Sequence, residues 1–167
     1  MAREANEIEV RIGEMEIAKS PYILRALLGS CVAVILYDKV NLIGGLAHVF
    51  LPTKNMSRKE DEHPDSRFAD TAVPMLLKSI IDIGAKKQNI VAYLVGGNNV
   101  LSVAKNASKK TIAEQNIEAA VTAIQKENLF MINLGVGKDT GTKVKFMLST
   151  GDVIVEEMKK VGKIKSE

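Results

Sequence analysis

Two neighbouring apolar runs constrain the fold of this chain more than any other feature. CVAVILY extends from Cys31 to Tyr37, LIGGLAHVFL extends from Leu42 to Leu51, and only the polar segment Asp38 to Asn41 separates them. Two apolar runs joined by a short polar turn predict a β-hairpin. Because neither run alternates with polar residues, we expect both faces of this hairpin to be buried.

The remaining segments predict an α+β fold. Residues 7–18 alternate apolar and charged side chains, which predicts a half-buried strand, or a pair of strands bent at Gly13. Further strand-like runs and two helical segments follow, giving about seven strands and two long helices in an irregular order. That order favours an α+β fold over a regular alternation of strand and helix.

Both helices carry local start and stop signals. Over residues 69–83 apolar side chains recur at helical spacing. We expect Asp70 to be the N-cap of this helix, with Pro74 tolerated in the first turn and Gly84 as the stop. The second helix begins at Thr111 with the capping-box pattern TIAE. Its expected buried stripe comprises Ala113, Ile117, Ala120, Val121 and Ile124.

The amino-acid composition argues against several classes of binding site and of protein. A single cysteine excludes a disulfide framework within the chain, and one cysteine with two histidines argues against structural zinc. Aromatic residues make up 4% of the chain and tryptophan is absent, so base-stacking surfaces for nucleic acid are not expected. No apolar run reaches the roughly 18 residues of a membrane helix, and the charged first residues do not resemble a secretory signal. We therefore expect a cytoplasmic protein without metal or cofactor.

The hairpin places the only cysteine beside a histidine. With Asp38 to Asn41 as the turn, Tyr37 faces Leu42 and Cys31 lies directly opposite His48. Opposed side chains have Cβ atoms roughly 4.5–5.5 Å apart, within reach of a sulfur–imidazole contact. Gly29 and Ser30 predict a tight turn that leaves the sulfur at an open strand mouth, where the amides near Ser30 and Cys31 can stabilise an oxyanion. This arrangement predicts a cysteine nucleophile with His48 as its acid and base.

Other interpretations of these residues remain open. A lone cysteine in an apolar strand is commonly a packing residue, and a strand histidine is commonly a satisfied structural one. His63, in a charged loop, is expected to be solvated, and Asp70 is expected to cap a helix and not to act as an acid catalyst. Gly96-Gly97-Asn98 follows a strand but lacks a phosphate-binding pattern, so we expect a turn there.

The same segments carry a family resemblance. The chain resembles the chemoreceptor glutamine deamidase family CheD over nearly its whole length, most specifically in LGSC followed 17 positions later by the histidine of AHVFLP. The segments that carry the likeness are LGSCVAVILYD (28–38), GGLAHVFLP (44–52), RFADTAVPMLL (67–77), NIEAAVTAI (116–124) and VKFMLSTGDVIVEE (144–157).

This resemblance implies a fold and an activity. It implies a β-sandwich-like mixed-sheet core with helices packed outside, similar to toxin-type cysteine deamidases, in one domain over 1–158 with a basic tail over 159–167. It implies conversion of glutamine to glutamate on methyl-accepting chemotaxis receptors, in some members hydrolysis of glutamate methyl esters, and binding of a CheC-type phosphatase. Cys31 matches the nucleophile and His48 the general base and acid. Arg25 stands where many members carry a histidine-orienting threonine, so no third catalytic residue is predicted.

Two further function classes stay open. The protein is alternatively a regulatory adaptor that binds chemoreceptors or a CheC-type phosphatase with little catalysis, or an amidase for small molecules. A catalytic Cys31 is expected to alkylate well below the free-thiol pKa of roughly 8.5, and an inert sulfur favours the adaptor. In the deamidase interpretation, the polar loop over 53–67 is the segment expected to grip receptor helices.

Overall fold

The computed structural model describes residues 6–54, 65–99 and 109–158. These ranges form an α+β fold, as predicted, with nine strands where the sequence indicated about seven. In chain order the elements are β1 (Glu7–Glu9), β2 (Met15–Lys19), β3 (Ile23–Leu28), β4 (Val32–Asp38), β5 (Ile43–Val49), α1 (Ala69–Asp82), β6 (Ile90–Gly96), α2 (Ile112–Lys126), β7 (Phe130–Val136), β8 (Thr142–Met147) and β9 (Val153–Glu157).

Two sheets and one helical layer make up the fold. A five-stranded sheet has the order β2-β5-β4-β6-β7, and a four-stranded sheet has the order β1-β3-β8-β9. One apolar cluster joins the two sheets, and a second joins the five-stranded sheet to α1 and α2. The central β4–β5 hairpin is therefore buried on both faces, as its apolar runs predicted. The sandwich-like core with helices outside is confirmed.

The bend predicted at Gly13 separates strands of different sheets. Gly13 adopts φ +80°, in the left-handed region, between β1 and β2. β1 pairs with β3 in the four-stranded sheet, and β2 pairs with β5 in the five-stranded one. The chain therefore crosses from one layer to the other at this glycine. A Cβ at this position would also lie 2.8 Å from the Arg67 side chain.

α1 ends as predicted but does not begin as predicted, whereas α2 begins as predicted. α1 begins at Ala69 after Phe68, so the expected Asp70 N-cap is wrong; the Asp70 carboxylate instead accepts the Lys54 amide N–H at 3.1 Å. Pro74 consequently lies inside the helix. Gly84, at φ +117°, follows the last turn as expected. α2 has the predicted capping box between Thr111 and Glu114.

Each helix packs an apolar face against the five-stranded sheet, and this burial stabilises α1 although it lacks a side-chain cap and contains Pro74. The buried face of α1 comprises Ala69, Ala72, Val73, Leu76, Leu77 and Ile80. That of α2 comprises Ala113, Asn116, Ala120, Ala123 and Ile124, with Ile117 and Val121 only partly buried. The sequence therefore identified Ala113, Ala120 and Ile124 and missed Asn116 and Ala123. Neither helix in the described ranges is long and apolar enough to cross a membrane.

The register of the β4–β5 hairpin differs from the predicted one by two residues. Tyr37 faces Gly44, not Leu42, and Asp38, which the prediction placed in the turn, pairs with Ile43. The four-residue loop therefore lies one residue further along the chain than predicted, over 39–42 and not 38–41. The Asp38 carboxylate holds it there by accepting the amide N–H groups of Val40 and Asn41 at 2.9 and 3.0 Å. A shift of two residues keeps every side chain on its predicted face while changing its partner.

Asp38 is expected to stabilise the fold through this loop and through the amide N–H of Lys86, which it accepts at 2.8 Å. Asp38→Asn is expected to reduce the free energy of unfolding by about 2–3 kcal/mol at neutral pH, because the partly buried backbone donors around Asp38 then face an amide whose nitrogen cannot accept a hydrogen bond. Urea denaturation monitored by circular dichroism measures the change. Asp82→Asn, which removes an exposed ion pair with Lys78, should change stability by at most about 0.5 kcal/mol.

The contribution of Asp38 is also expected to depend on pH. Burial alone would raise the pKa of Asp38, but hydrogen bonds from the Asn41 side chain and from backbone amides outweigh burial and lower it. The contribution is therefore present above the unfolded-state pKa of roughly 3.9 and is lost as the pH falls through the lower folded-state value. If the wild-type and Asp38→Asn stability curves stay parallel through this acid window, the account of the loop is wrong.

Candidate active site

Cys31 lies in the turn between β3 and β4, immediately before the buried hairpin. Its side chain belongs to the apolar cluster between the two sheets and is only 5% exposed. Burial raises the pKa of the Cys31 thiol from 9.0 to about 11. The expectation of an open strand mouth is therefore wrong for the free protein, because side chains from both sheets close around the turn. With its thiol pKa raised in this way, slow alkylation of the free protein does not distinguish a catalytic cysteine from an adaptor.

His48 is held in one tautomer by the backbone. Its Nδ1 lies 2.9 Å from the carbonyl oxygen of Val10, and a carbonyl only accepts hydrogen bonds, so Nδ1 carries the proton. Nε2 therefore keeps its lone pair, is buried, and has no hydrogen-bond partner within the described ranges. Burial lowers the pKa of His48, although the Val10 bond and the charge of Glu14 oppose this shift. The ring is neutral at neutral pH, with one nitrogen free to accept a proton.

Cys31 and His48 are diagonal neighbours and not directly opposed. Ala33 is the residue that faces His48, and Cys31 precedes Ala33 by two positions on the same apolar face. Diagonal neighbours on one face have Cα atoms roughly 7–8 Å apart, which long side chains can span. Because Nε2 has no partner, the thiol does not donate to it in the free protein. The structure thus brings the pair to one face as two neutral groups.

The turn that carries Cys31 is held entirely through its carbonyl groups. All four carbonyls from Leu28 to Cys31 accept hydrogen bonds. In order, the donors are the Asn98 side-chain Nδ2 (3.3 Å), the Asn98 backbone N–H (2.9 Å), the Asn116 side-chain Nδ2 (3.1 Å) and the Gly97 backbone N–H (2.8 Å). In the part of the chain that the structure describes, the amide N–H groups of Ser30 and Cys31 donate to nothing. Two unpaired amides beside a sulfur are the donors that a tetrahedral oxyanion requires.

Gly96 and Gly97 allow this close approach. Gly96 has φ +101°, and a Cβ there would lie 2.6 Å from the carbonyl oxygen of Cys31. Gly97 has φ +64°, and its Cβ would lie 2.5 Å from Ile117. The expected turn is not formed here: Gly96 ends β6, and the irregular segment that follows continues alongside the turn that carries Cys31. Sequence reasoning missed the roles of Asn98 and Asn116, although an asparagine inside the apolar stripe of a helix was a usable signal.

Arg25 does not orient His48 through its side chain. Its guanidinium points to Glu7 at 3.2 Å and is 42% exposed. Its backbone carbonyl accepts the Val10 amide at 2.8 Å, and the Val10 carbonyl in turn accepts the His48 ring proton. A backbone group therefore fixes the imidazole where many family members are expected to use a threonine.

The remaining sequence predictions concern metal binding, His63, the polar loop over 53–67 and the basic tail. No group of three or more His, Cys, Asp or Glu side chains within 6–54, 65–99 and 109–158 could hold a metal ion. His63, most of the loop expected to grip receptors, and the basic tail over 159–167 lie outside the described residues.

The Cys31 thiol of the free protein is expected to react slowly at neutral pH. The rate of alkylation by iodoacetamide should keep rising towards pH 11, because burial raises the pKa of this thiol to about 11. Since Cys31 is the only cysteine, total alkylation reports on it alone. The same titration in concentrated urea should level off near the free-thiol pKa of roughly 8.5. A native profile that levels off at or below the unfolded one would contradict the burial that we describe.

Comparisons with known proteins agree with the family resemblance. Residues 50–157 match the family model CheD, described as CheD chemotactic sensory transduction. A protein of Methanococcus maripaludis (strain C5), named probable chemoreceptor glutamine deamidase CheD, is 38% identical over 150 residues, covering 90% of this chain and 94% of that protein. A protein of Methanococcus vannielii with the same name is 35% identical over 94% of this chain and 99% of its own length.

A third relative also matches most of the chain. A protein of Halalkalibacterium halodurans, named chemoreceptor glutamine deamidase CheD, is 32% identical over 83% of this chain and 86% of its own length. The family-model match begins after His48, so it does not itself include the candidate pair. The Methanococcus vannielii match spans 157 residues and therefore necessarily includes positions 31 and 48.

Proposed function

The chain belongs to the CheD family, and we propose that it converts glutamine side chains of chemoreceptors to glutamate, with Cys31 as the nucleophile. The family assignment supports a hydrolase acting on glutamine amides. The observation that supports the cysteine mechanism is His48 Nε2, a base with no hydrogen-bond partner among the described residues, on the same sheet face as the only thiol of the protein. Ser30 supports the site through its backbone amide.

The first half of the reaction forms a thioester. The Cys31 sulfur attacks the carboxamide carbon of a receptor glutamine while His48 Nε2 accepts the thiol proton. The amide N–H groups of Ser30 and Cys31 stabilise the oxyanion that develops on the carboxamide oxygen. The imidazolium then returns its proton to the nitrogen, the carbon–nitrogen bond breaks, and ammonia leaves.

The second half restores the enzyme. Neutral His48 takes a proton from a water molecule as that water attacks the thioester carbon. The carbon–sulfur bond breaks, the sulfur recovers its proton from the imidazolium, and the receptor side chain leaves as glutamate. The two neutral groups of the free protein suit this general-base route, because no preformed thiolate–imidazolium pair is needed.

Purified protein incubated with cytoplasmic fragments of chemoreceptors tests the proposal. Peptide mass spectrometry should find that specific receptor glutamines acquire the mass of glutamate, and ammonia should appear in equal amount. Free glutamine, offered at the same concentration, should not be hydrolysed. Conversion of free glutamine at a similar rate would indicate a small-molecule amidase, and unmodified receptor fragments would contradict a deamidase.

The regulatory expectations follow from the family and stay predictions. A CheC-type phosphatase is the proposed partner, methyl esters are a possible second substrate class, and the cytoplasm is the proposed location because the substrate segments are cytoplasmic. An adaptor without catalysis would bind receptor fragments or the phosphatase while leaving every glutamine unchanged. The mass measurement therefore separates the two function classes.

A further inference from the structure

Asn116 is a fully buried polar side chain on the otherwise apolar inner face of α2. Its Nδ2 donates to two backbone carbonyls, those of Ser30 and Phe50, each at 3.1 Å. Because both partners can only accept, the orientation of the amide group is fixed: its nitrogen faces the two carbonyls. The two contacts reach 86 and 66 positions along the chain, so they join distant segments.

The contact with Ser30 sets the direction of the Cys31 amide. A trans peptide is planar, and its C=O and N–H bonds point in opposite directions. A Ser30 carbonyl held towards α2 therefore directs the Cys31 N–H away from α2. Asn98 acts in the same way one peptide earlier. Its backbone N–H donates to the Gly29 carbonyl at 2.9 Å, and this contact fixes the direction of the Ser30 N–H in the same peptide plane.

The contact with Phe50 ties the same group to the strand of the histidine. Phe50 follows His48 by two positions, directly after β5 ends at Val49. One NH2 group thus bridges the turn that carries Cys31 and the end of the strand that carries His48. The pairing of β4 with β5 does not itself join these two segments, since Cys31 and Phe50 lie outside both strands.

We infer that Asn116 is a positioning residue of the deamidase, which aligns the oxyanion-binding amide of Cys31 and joins the nucleophile turn to the histidine strand. This inference rests on the proposed function for its catalytic consequence. Asn116 acts through the backbone and does not touch the reacting atoms. Its role is distinct from that of the Val10 carbonyl, which fixes the tautomer of His48.

Leucine is the informative replacement for Asn116. Asn116 Oδ1 is buried without a partner in the described ranges, so a leucine of similar size removes both donors and that unsatisfied oxygen together. Aspartate would instead bring a carboxylate against two carbonyls and could unfold the protein. A matched control is Tyr37→Phe, which removes another buried donor to a backbone carbonyl, that of Leu148 at 2.8 Å, at the opposite end of β4.

The experiment compares two reactions of the same sulfur. In Asn116→Leu, kcat for receptor deamidation should fall by about 10²-fold with KM little changed, because a misaligned donor weakens transition-state binding. Alkylation of Cys31 by iodoacetamide should keep its native rate, because that displacement builds no oxyanion. Tyr37→Phe should leave both rates at native values. Deamidation by Asn116→Leu at the native kcat, or an equal loss in both reactions, would overturn the inference.

A structural readout separates this inference from the proposed function. The ¹⁵N–¹H resonances of Cys31 and Leu51, whose amides share peptide planes with the two held carbonyls, should shift in Asn116→Leu and not in Tyr37→Phe. Unshifted resonances would overturn the positioning role whatever the activity. Shifted resonances in a protein whose native form deamidates nothing would support the positioning role and refute the proposed function.

Discussion

Replacing Cys31 by alanine is expected to lower the rate of receptor deamidation by at least about 10³-fold, because no other group supplies the nucleophile and covalent catalysis ends with it. The side chain is buried in the cluster between the sheets, so alanine leaves only a small cavity and the fold should persist. The measurement is the initial rate of glutamine conversion in receptor fragments, followed by peptide mass spectrometry.

A matched control separates catalysis from packing. Ile35→Val removes one methylene from the apolar cluster that contains Cys31, at a position within β4. It should cost about 1 kcal/mol of stability and leave the deamidation rate unchanged. Comparable losses of activity in both variants would show that Cys31 matters only as a packing residue.

Replacing His48 by glutamine is expected to lower the same rate by about 10²–10⁴-fold. Glutamine can still donate to the Val10 carbonyl, but it has no lone pair basic enough to accept the thiol proton. Burial lowers the pKa of His48, so the acid limb of the native kcat/KM profile should lie below the ordinary value of 6.5. As the pH falls through that lowered pKa, the imidazole becomes protonated and the base is lost.

The pH profile distinguishes the base from a structural histidine. In His48→Gln the acid limb assigned to the imidazole should disappear, while the protein stays folded by circular dichroism. The Ile35→Val control should keep the native limb. An acid limb above pH 6.5 in the native protein, or one that is unchanged in His48→Gln, would exclude His48 as the base.

Local patterns predicted the elements of this fold well. The unbroken apolar runs around Asp38 indicated a hairpin buried on both faces, and β4 and β5 are buried at every residue. The Thr111 capping box depends on neighbours in the chain, so sequence spacing was sufficient to locate it. By contrast, the start of α1 is set by tertiary packing around Phe68, which is buried, and not by a capping side chain.

The geometry of the candidate site depends on tertiary and side-chain contacts that the spacing of residues in the sequence does not reveal. The hairpin loop lies one residue further along the chain than predicted, where the carboxylate of Asp38 binds amides within it, and this moved the partner of His48 from Cys31 to Ala33. The burial of Cys31 follows from packing of the second sheet, whose position no local pattern specifies. The contacts of Asn116 also join segments 86 and 66 positions apart in the chain.

The most direct test of the account is to identify the atom that attacks the substrate. A receptor peptide in which the converted glutamine carries a chloroketone in place of its carboxamide should label the attacking group irreversibly, and digestion with mass spectrometry locates the label. We predict a single adduct on the Cys31 sulfur, formed more slowly in His48→Gln. A label on another residue while Cys31 remains a free thiol would contradict the mechanism.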